Sequence, residues 1–173
     1  MSVQTAVVKT HAEAAPAVRV LRSNEGKALA VLGTVIIFKE LPADNGDAMF
    51  AFENRLPPGA MVPPHTEQNH ESFLVLEGSF EFELDHVRHR LGPGDFARIA
   101  PGVVHTFRNV GTGIGRMLTC VTPGDQHRRF FEAIGEEIDD PANPPAPSGP
   151  PDLERVVEAG RQSGIFFVGS AAH

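Results

Sequence analysis

Between residues 27 and 121 short apolar runs alternate with clusters of turn-forming residues, and within the runs the apolar positions favour a period of two. Residues 27–33 and 34–41 are rich in β-branched side chains and predict two strands joined at Gly33. Residues 42–47 form a turn cluster. Residues 48–56 predict a further strand, with Phe50 and Phe52 on one face, ended by Pro57-Pro58-Gly59. Residues 71–77 are apolar at nearly every position, which predicts a strand buried on both faces. Gly78 then turns the chain into residues 79–85, where Phe80, Phe82 and Leu84 alternate with Glu81 and Glu83. That alternation marks an antiparallel strand with one solvated face. After a turn at residues 92–95, strands over residues 96–99, 105–110 and 116–121 complete the set.

The pattern changes at Gly124. Asp125 is placed to cap a helix on which Phe130, Phe131, Ile134 and Ile138 make an apolar stripe. The Pro-rich stretch 139–151 predicts an extended linker. Pro151 opens a second helix with Asp152 and Glu154 in its first turn and Gly164 at its end. Leu153, Val156, Val157 and Gly160 are expected on its inner face, and residues 165–169 form a short apolar coda. A run of about eight to ten strands followed by two helices predicts an all-β fold with an appendix, a small antiparallel barrel or sandwich, rather than alternating βαβ units. The expected organisation is an N-terminal arm at 1–25, a β-barrel at 26–123 and a helical extension at 124–173. Residues 1–16 read as a flexible arm or as an edge strand for a partner's sheet.

Composition narrows the function classes. The chain has 173 residues, 41% hydrophobic, enough for one domain with a single core. A net charge of −7, with 15 basic against 22 acidic residues and no basic cluster, argues against nucleic acid as a partner. No run approaches the ~18 apolar residues of a membrane span, and the N-terminus lacks the apolar core of a signal peptide, so a cytoplasmic protein is expected. The single cysteine, Cys120, excludes an intramolecular disulfide framework and reads as a small core residue. Without tyrosine or tryptophan, the 12 phenylalanines supply every aromatic side chain.

Candidate chemistry concentrates in two segments. Residues 59–78 contain His65, Glu67 and Glu71; residues 94–109 contain His105. These are nitrogen and oxygen donors of the kind a divalent first-row metal prefers. Residues two apart on a strand point the same way, so His65 and Glu67 share a face. Glu71 shares its parity with Phe73 and Val75 and reaches the same spot if that face is inward. The bland reading of each is a hydrogen-bonded histidine or a solvated polar loop. His86, His89 and His127 carry no spacing signal and receive no role. Phe73, Phe82, Phe96 and Phe107 read as barrel core, with some free to line a ligand pocket.

The two segments together resemble the cupin superfamily. The first cupin motif, G-x5-H-x-H-x3,4-E-x6-G, is met by Gly59, His65, Glu71 and Gly78. The second, G-x5-P-x-G-x2-H-x3-N, is met by Gly94, Gly102, His105 and Asn109, with Pro101 shifted by one place. The resemblance covers roughly residues 26–121. It implies a jelly-roll, or double-stranded β-helix, barrel with a metal held by His65, Glu67, Glu71 and His105. The C-terminal pattern resembles cupins likened to quercetin dioxygenases, and the resemblance also implies a homodimer. Glu67 stands where the motif has its second histidine. A site of two histidines and two carboxylates is chemically sound for Fe, Mn, Ni, Co or Zn, and it is harder than a three-histidine site, favouring Mn or Fe over Cu. Two alternatives stay open: His70 swings in by a local bulge in place of Glu67, or the site binds metal weakly or not at all. The functional expectation is a metal-dependent dioxygenase acting on a small aromatic or enolic substrate, with Glu71 as the proton shuttle. A non-catalytic ligand- or metal-binding module and a cupin isomerase or decarboxylase are the competing readings.

Overall fold

Period-two strands with one apolar face must bury that face against another sheet, and here two antiparallel sheets do so. The structure, a computed structural model, describes residues 18–147 and 149–169. Most of the expected N-terminal arm lies outside the described residues.

The strands are β1 (Ala28–Val31), β2 (Thr34–Glu40), β3 (Phe50–Leu56), β4 (Met61–Glu67), β5 (His70–Glu77), β6 (Phe80–Leu84), β7 (Val87–Leu91), β8 (Phe96–Ile99), β9 (His105–Asn109) and β10 (Gly115–Thr122). Helix α1 (Asp125–Ile134), β11 (Glu136–Glu137), helix α2 (Leu153–Gln162) and β12 (Ile165–Phe167) follow. One sheet runs β11-β1-β2-β3-β10-β5-β8 and the other β12-β4-β9-β6-β7. From β3 to β10 the chain repeatedly steps from one sheet to the other, which gives the expected all-β jelly roll.

The space between the sheets is filled by Leu56, Phe73, Val75, Phe80, Phe82, Ile99, Phe107 and Met117 at one end. Each such fully buried Phe contributes roughly 2 kcal/mol through removal of its surface from water. A second cluster joins Leu29, Val31, Ile36, Phe38, Phe50, Phe52 and Val121 to Phe131 and Ile134 of α1. Phe130 of α1 packs with Val156, Ala159 and Ile165, which ties α1, α2 and β12 together. The motif glycines Gly59, Gly78, Gly94 and Gly102 all have positive φ, a conformation that glycine adopts without a Cβ penalty.

Several expectations are corrected. Strand β5 is not buried on both faces: Glu71, Phe73 and Val75 point inward, whereas Leu74 is half-buried and Leu76 exposed. Its outward apolar residues mask the alternation in the sequence. Phe96 is 61% exposed on the outer face of edge strand β8, not in the core. Helix α1 stops at Gly135, whose N–H donates to Phe131 O at 2.8 Å, so Ile138 lies beyond the helix and packs on Ala28, Val35 and Ile37. Its N-cap is Gly124, and Asp47 Oδ1 accepts the Asp125 N–H at 3.1 Å in place of a local side-chain cap. On α2 the inner face is Val156, Ala159 and Gly160, while Leu153 and Val157 are exposed. The residues after α2 form β12, which pairs with β4 and sets Phe167 opposite His65.

Gly124 seats α1 on the barrel. A Cβ there would lie 2.3 Å from Phe50 N and 2.6 Å from Met49 C, both rigid backbone atoms, although the local φ and ψ suit alanine. Gly124→Ala is therefore expected to cost about 2–3 kcal/mol by overpacking. Gly113→Ala, where a Cβ meets open space, provides the control. Denaturant midpoints measure both, and equal midpoints would show that α1 yields freely.

Candidate metal centre

Four buried polar side chains meet between the sheets. His65 and Glu67 come from β4, Glu71 from β5 and His105 from β9, and their candidate ligand atoms lie within 4.8 Å of one another. The register explains the convergence. His65 lies opposite His105 across the β4–β9 pair, just after an irregularity at Pro63-Pro64. Proline lacks the N–H a ladder needs, so the pairing lapses there and resumes at His65.

Backbone carbonyls orient both imidazoles. His65 Nδ1 lies 2.8 Å from Pro63 O, and His105 Nδ1 lies 3.0 Å from Val103 O. A carbonyl only accepts, so each Nδ1 carries the hydrogen, and in the neutral ring Nε2 is left as a bare acceptor. His65 Nε2 is 3.7 Å from Glu67 Oε2; His105 Nε2 is 3.9 Å from Glu67 Oε1 and 2.9 Å from Glu71 Oε2. Glu67 Oε2, Glu71 Oε2 and His105 Nε2 are buried without a properly aligned hydrogen-bond partner. An arrangement of inward acceptors, with ring tautomers set by outer carbonyls, is what a cation-binding centre requires. Two nitrogens and two carboxylates fit a divalent first-row ion.

The same crowding shifts the acids and bases. Burial, reinforced by the neighbouring Glu71 carboxylate, pushes Glu67 up to about 8. Burial also acts to raise Glu71, but the His127 and His105 imidazoles outweigh it and hold that carboxyl well below the usual range. His65 is lowered to about 4 by burial and by His105. For His105 the desolvation is outweighed by the Glu71 carboxylate, and its pKa rises. Protons thus collect on Glu67 and His105, where they offset charge that a metal ion would otherwise neutralise.

Beside this cluster a cavity of about 90 Å³ opens toward α1 and β12, lined by His65, Glu71 and His127 and by phenylalanine rings. His127 is buried, with Nε2 3.0 Å from Glu71 Oε1.

Residues 52–121 match the family described as the cupin domain. The chain carries a cupin domain over these residues. This cupin is 32% identical over 114 residues to quercetin 2,3-dioxygenase of Bacillus subtilis strain 168. The match covers 65% of the chain but 33% of that relative, about a third of its length. Among solved structures, a predicted oxalate decarboxylase from Thermotoga maritima shares the fold at a TM-score of 0.55 and 22% identity, over 60% of this chain and 98% of that one. An RmlC-like cupin from Shewanella frigidimarina does so at 0.53 and 19%, over 61% and 89%. Among the described residues no helix is long and apolar enough to cross a membrane.

The structure of this cupin brings His65, Glu67, Glu71 and His105 together and leaves His70 out. His70 lies half-buried on the opposite face of β5, with Nδ1 3.1 Å from an Arg98 guanidinium nitrogen. Strand parity forbids both His70 and Glu71 from pointing inward without a bulge, and β5 is regular at that point. Asn109 of the second motif is a structural residue: it donates to Leu56 O and Gly113 O and accepts from Gly111 N–H. Cys120 sits half-buried on β10, its thiol pushed up by burial. His127 is the site neighbour that had received no role. A signal for it exists, because it precedes Phe130 and Phe131 by three and four residues and so joins their helical stripe.

Glu67→Gln isolates the charge at that position. Because the folded pKa is raised from 4.5 to about 8, folded protein holds a proton that unfolded protein has released, and stability falls as pH rises through that window. In the presence of a chelator, Glu67→Gln should therefore exceed the parent in stability at pH 8, on the order of 4 kcal/mol. The gain should vanish at about pH 3, below both pKa values, where both states of the parent are protonated. Thermal unfolding at the two pH values checks this, and a pH-independent difference would contradict it.

Proposed function

We propose that this cupin is a metal-dependent dioxygenase-like enzyme acting on a small aromatic or enolic compound. The observation that carries the proposal is the acceptor cluster opening onto an apolar cavity walled by Phe52, Phe73, Phe107, Phe130, Phe131 and Phe167. The likeness to a quercetin dioxygenase over part of its length supports the same class.

Held by His65, Glu67, Glu71 and His105, an ion such as Fe, Mn, Ni, Co or Zn would supply Lewis acidity and, where redox-active, a path for electrons to dioxygen. The remaining chemistry belongs to the chain. The phenylalanine rings bury the apolar body of the substrate and exclude water, which strengthens electrostatics within the cavity. Glu71, buried on the cavity wall and ionised, accepts the substrate proton. The carbonyls of Pro63 and Val103 keep both histidines in one orientation throughout. We extend the proposal to a homodimer, for which the outward apolar residues Leu74, Leu76 and Phe96 offer a surface.

Metal-free protein reloaded separately with Fe, Mn, Ni or Co and given flavonols or smaller enediols should take up one O2 per substrate consumed with at least one metal. Glu71→Gln should lower kcat by roughly 100-fold or more. An oxygen electrode and product analysis read both. Ligand binding without turnover would identify a binding module instead, and substrate loss without oxygen uptake would point to an isomerase or decarboxylase.

A further inference from the structure

Glu71 is divided between two environments. Its Oε2 faces His105 at 2.9 Å, and its Oε1 faces His127 Nε2 at 3.0 Å. Oε2 is buried without a hydrogen-bond partner and faces the centre, whereas Oε1 has the His127 nitrogen within hydrogen-bond reach. His127 comes from α1, beyond the segment 52–121 that matches the cupin family. It is 4% exposed, and Phe131 packs against its ring at a centroid distance of 6.1 Å. Its Nδ1 is buried without a partner and its Nε2 faces a carboxylate oxygen, which only accepts, so the hydrogen is assigned to Nε2.

We propose that His127 is a positioning residue that fixes the Glu71 carboxylate for metal binding, so that the metal centre of this cupin is completed by the C-terminal helix. The inference rests on the reading of the four-residue cluster as a metal site. Without the His127 donor, Oε1 loses the nitrogen that faces it, and the carboxylate is free to rotate toward His105 or into the cavity. Loss of an outer partner of this kind lowers metal affinity about 10–100-fold. The same contact makes the docking of α1 and the occupancy of the site mutually dependent, since each stabilises the arrangement the other needs.

The test uses full-length, metal-free protein titrated with Co²⁺, followed by its visible absorption and by competition with a chelator. His127→Phe and His127→Leu keep an apolar side chain on α1 but remove the donor. His127→Gln retains an N–H donor at similar reach. The expected result is a 10–100-fold weaker Co²⁺ affinity and an altered spectrum for the Phe and Leu variants, with affinity and spectrum largely restored in the Gln variant. Unfolding temperatures of the metal-free variants separate this from a loss of packing, which would not be rescued by Gln. If the parent binds Co²⁺ and the donor-less variants bind it equally well, or if Gln is no better than Leu, the positioning role is overturned while the metal reading stands. If the parent takes up no Co²⁺, the metal reading fails and this inference falls with it.

Discussion

The constraint on which the site depends is the enclosure of like groups. Two carboxylates and two imidazole nitrogens face one another in the interior, and when ionised or neutral respectively they accept hydrogen bonds and offer none. Buried acceptors left in that state lose their hydration without compensation. Something positive must therefore sit among them. In the metal-free chain protons take that place, which is why Glu67 is pushed up to about 8 and His105 upward as well. A divalent ion can replace them. The pKa shifts and the proposed metal affinity are two consequences of one geometry.

The fold tolerates that enclosure because the groups are carried on strands. His65, Glu67 and His105 project from one sheet and Glu71 from the other, so packing between the sheets sets the distances across the cluster. The Phe-rich core beneath does not yield easily, since protein interiors are close-packed. The C-terminal segment completes the enclosure. Strand β11 extends one sheet and β12 the other, while α1 closes over the cavity and brings His127 to Glu71. The residues outside the family match are thus part of the site's wall.

Much of this was legible in residue order, and the reasons are physical. The alternation of Phe80, Phe82 and Leu84 revealed its strand because one face is buried and the other wet. The convergence of the candidate donors was legible because their spacing follows strand parity and because turns at Gly59, Gly78, Gly94 and Gly102 favour glycine. Leu74, Leu76 and Phe96 misled because they are apolar yet face outward, and hydrophobicity alone does not name a face. His127 and β12 were hidden for another reason. Their roles exist only after a helix and a distal edge strand fold back onto the barrel, a long-range event with no local period.

The substitution at Glu67 bears on which substrates suit the centre. Two neutral histidines and two carboxylates carry two negative charges, so with a divalent ion the centre is neutral, whereas the three-histidine, one-glutamate pattern of the family motif would leave it positive. Charge imbalance is costly in a low-dielectric interior. A positive centre attracts an enolate or phenolate that has shed its proton to solvent. A neutral centre gains little from a free anion and favours a substrate that enters protonated and keeps its proton within the cavity. Glu71, on the cavity wall with His127 facing it, would receive that proton on the proposed function. On the proposed function, the carboxylate at Glu67 and the proton acceptor at Glu71 would act together: the site would carry the substrate's proton inside because its charge balance gives no advantage to leaving the proton outside.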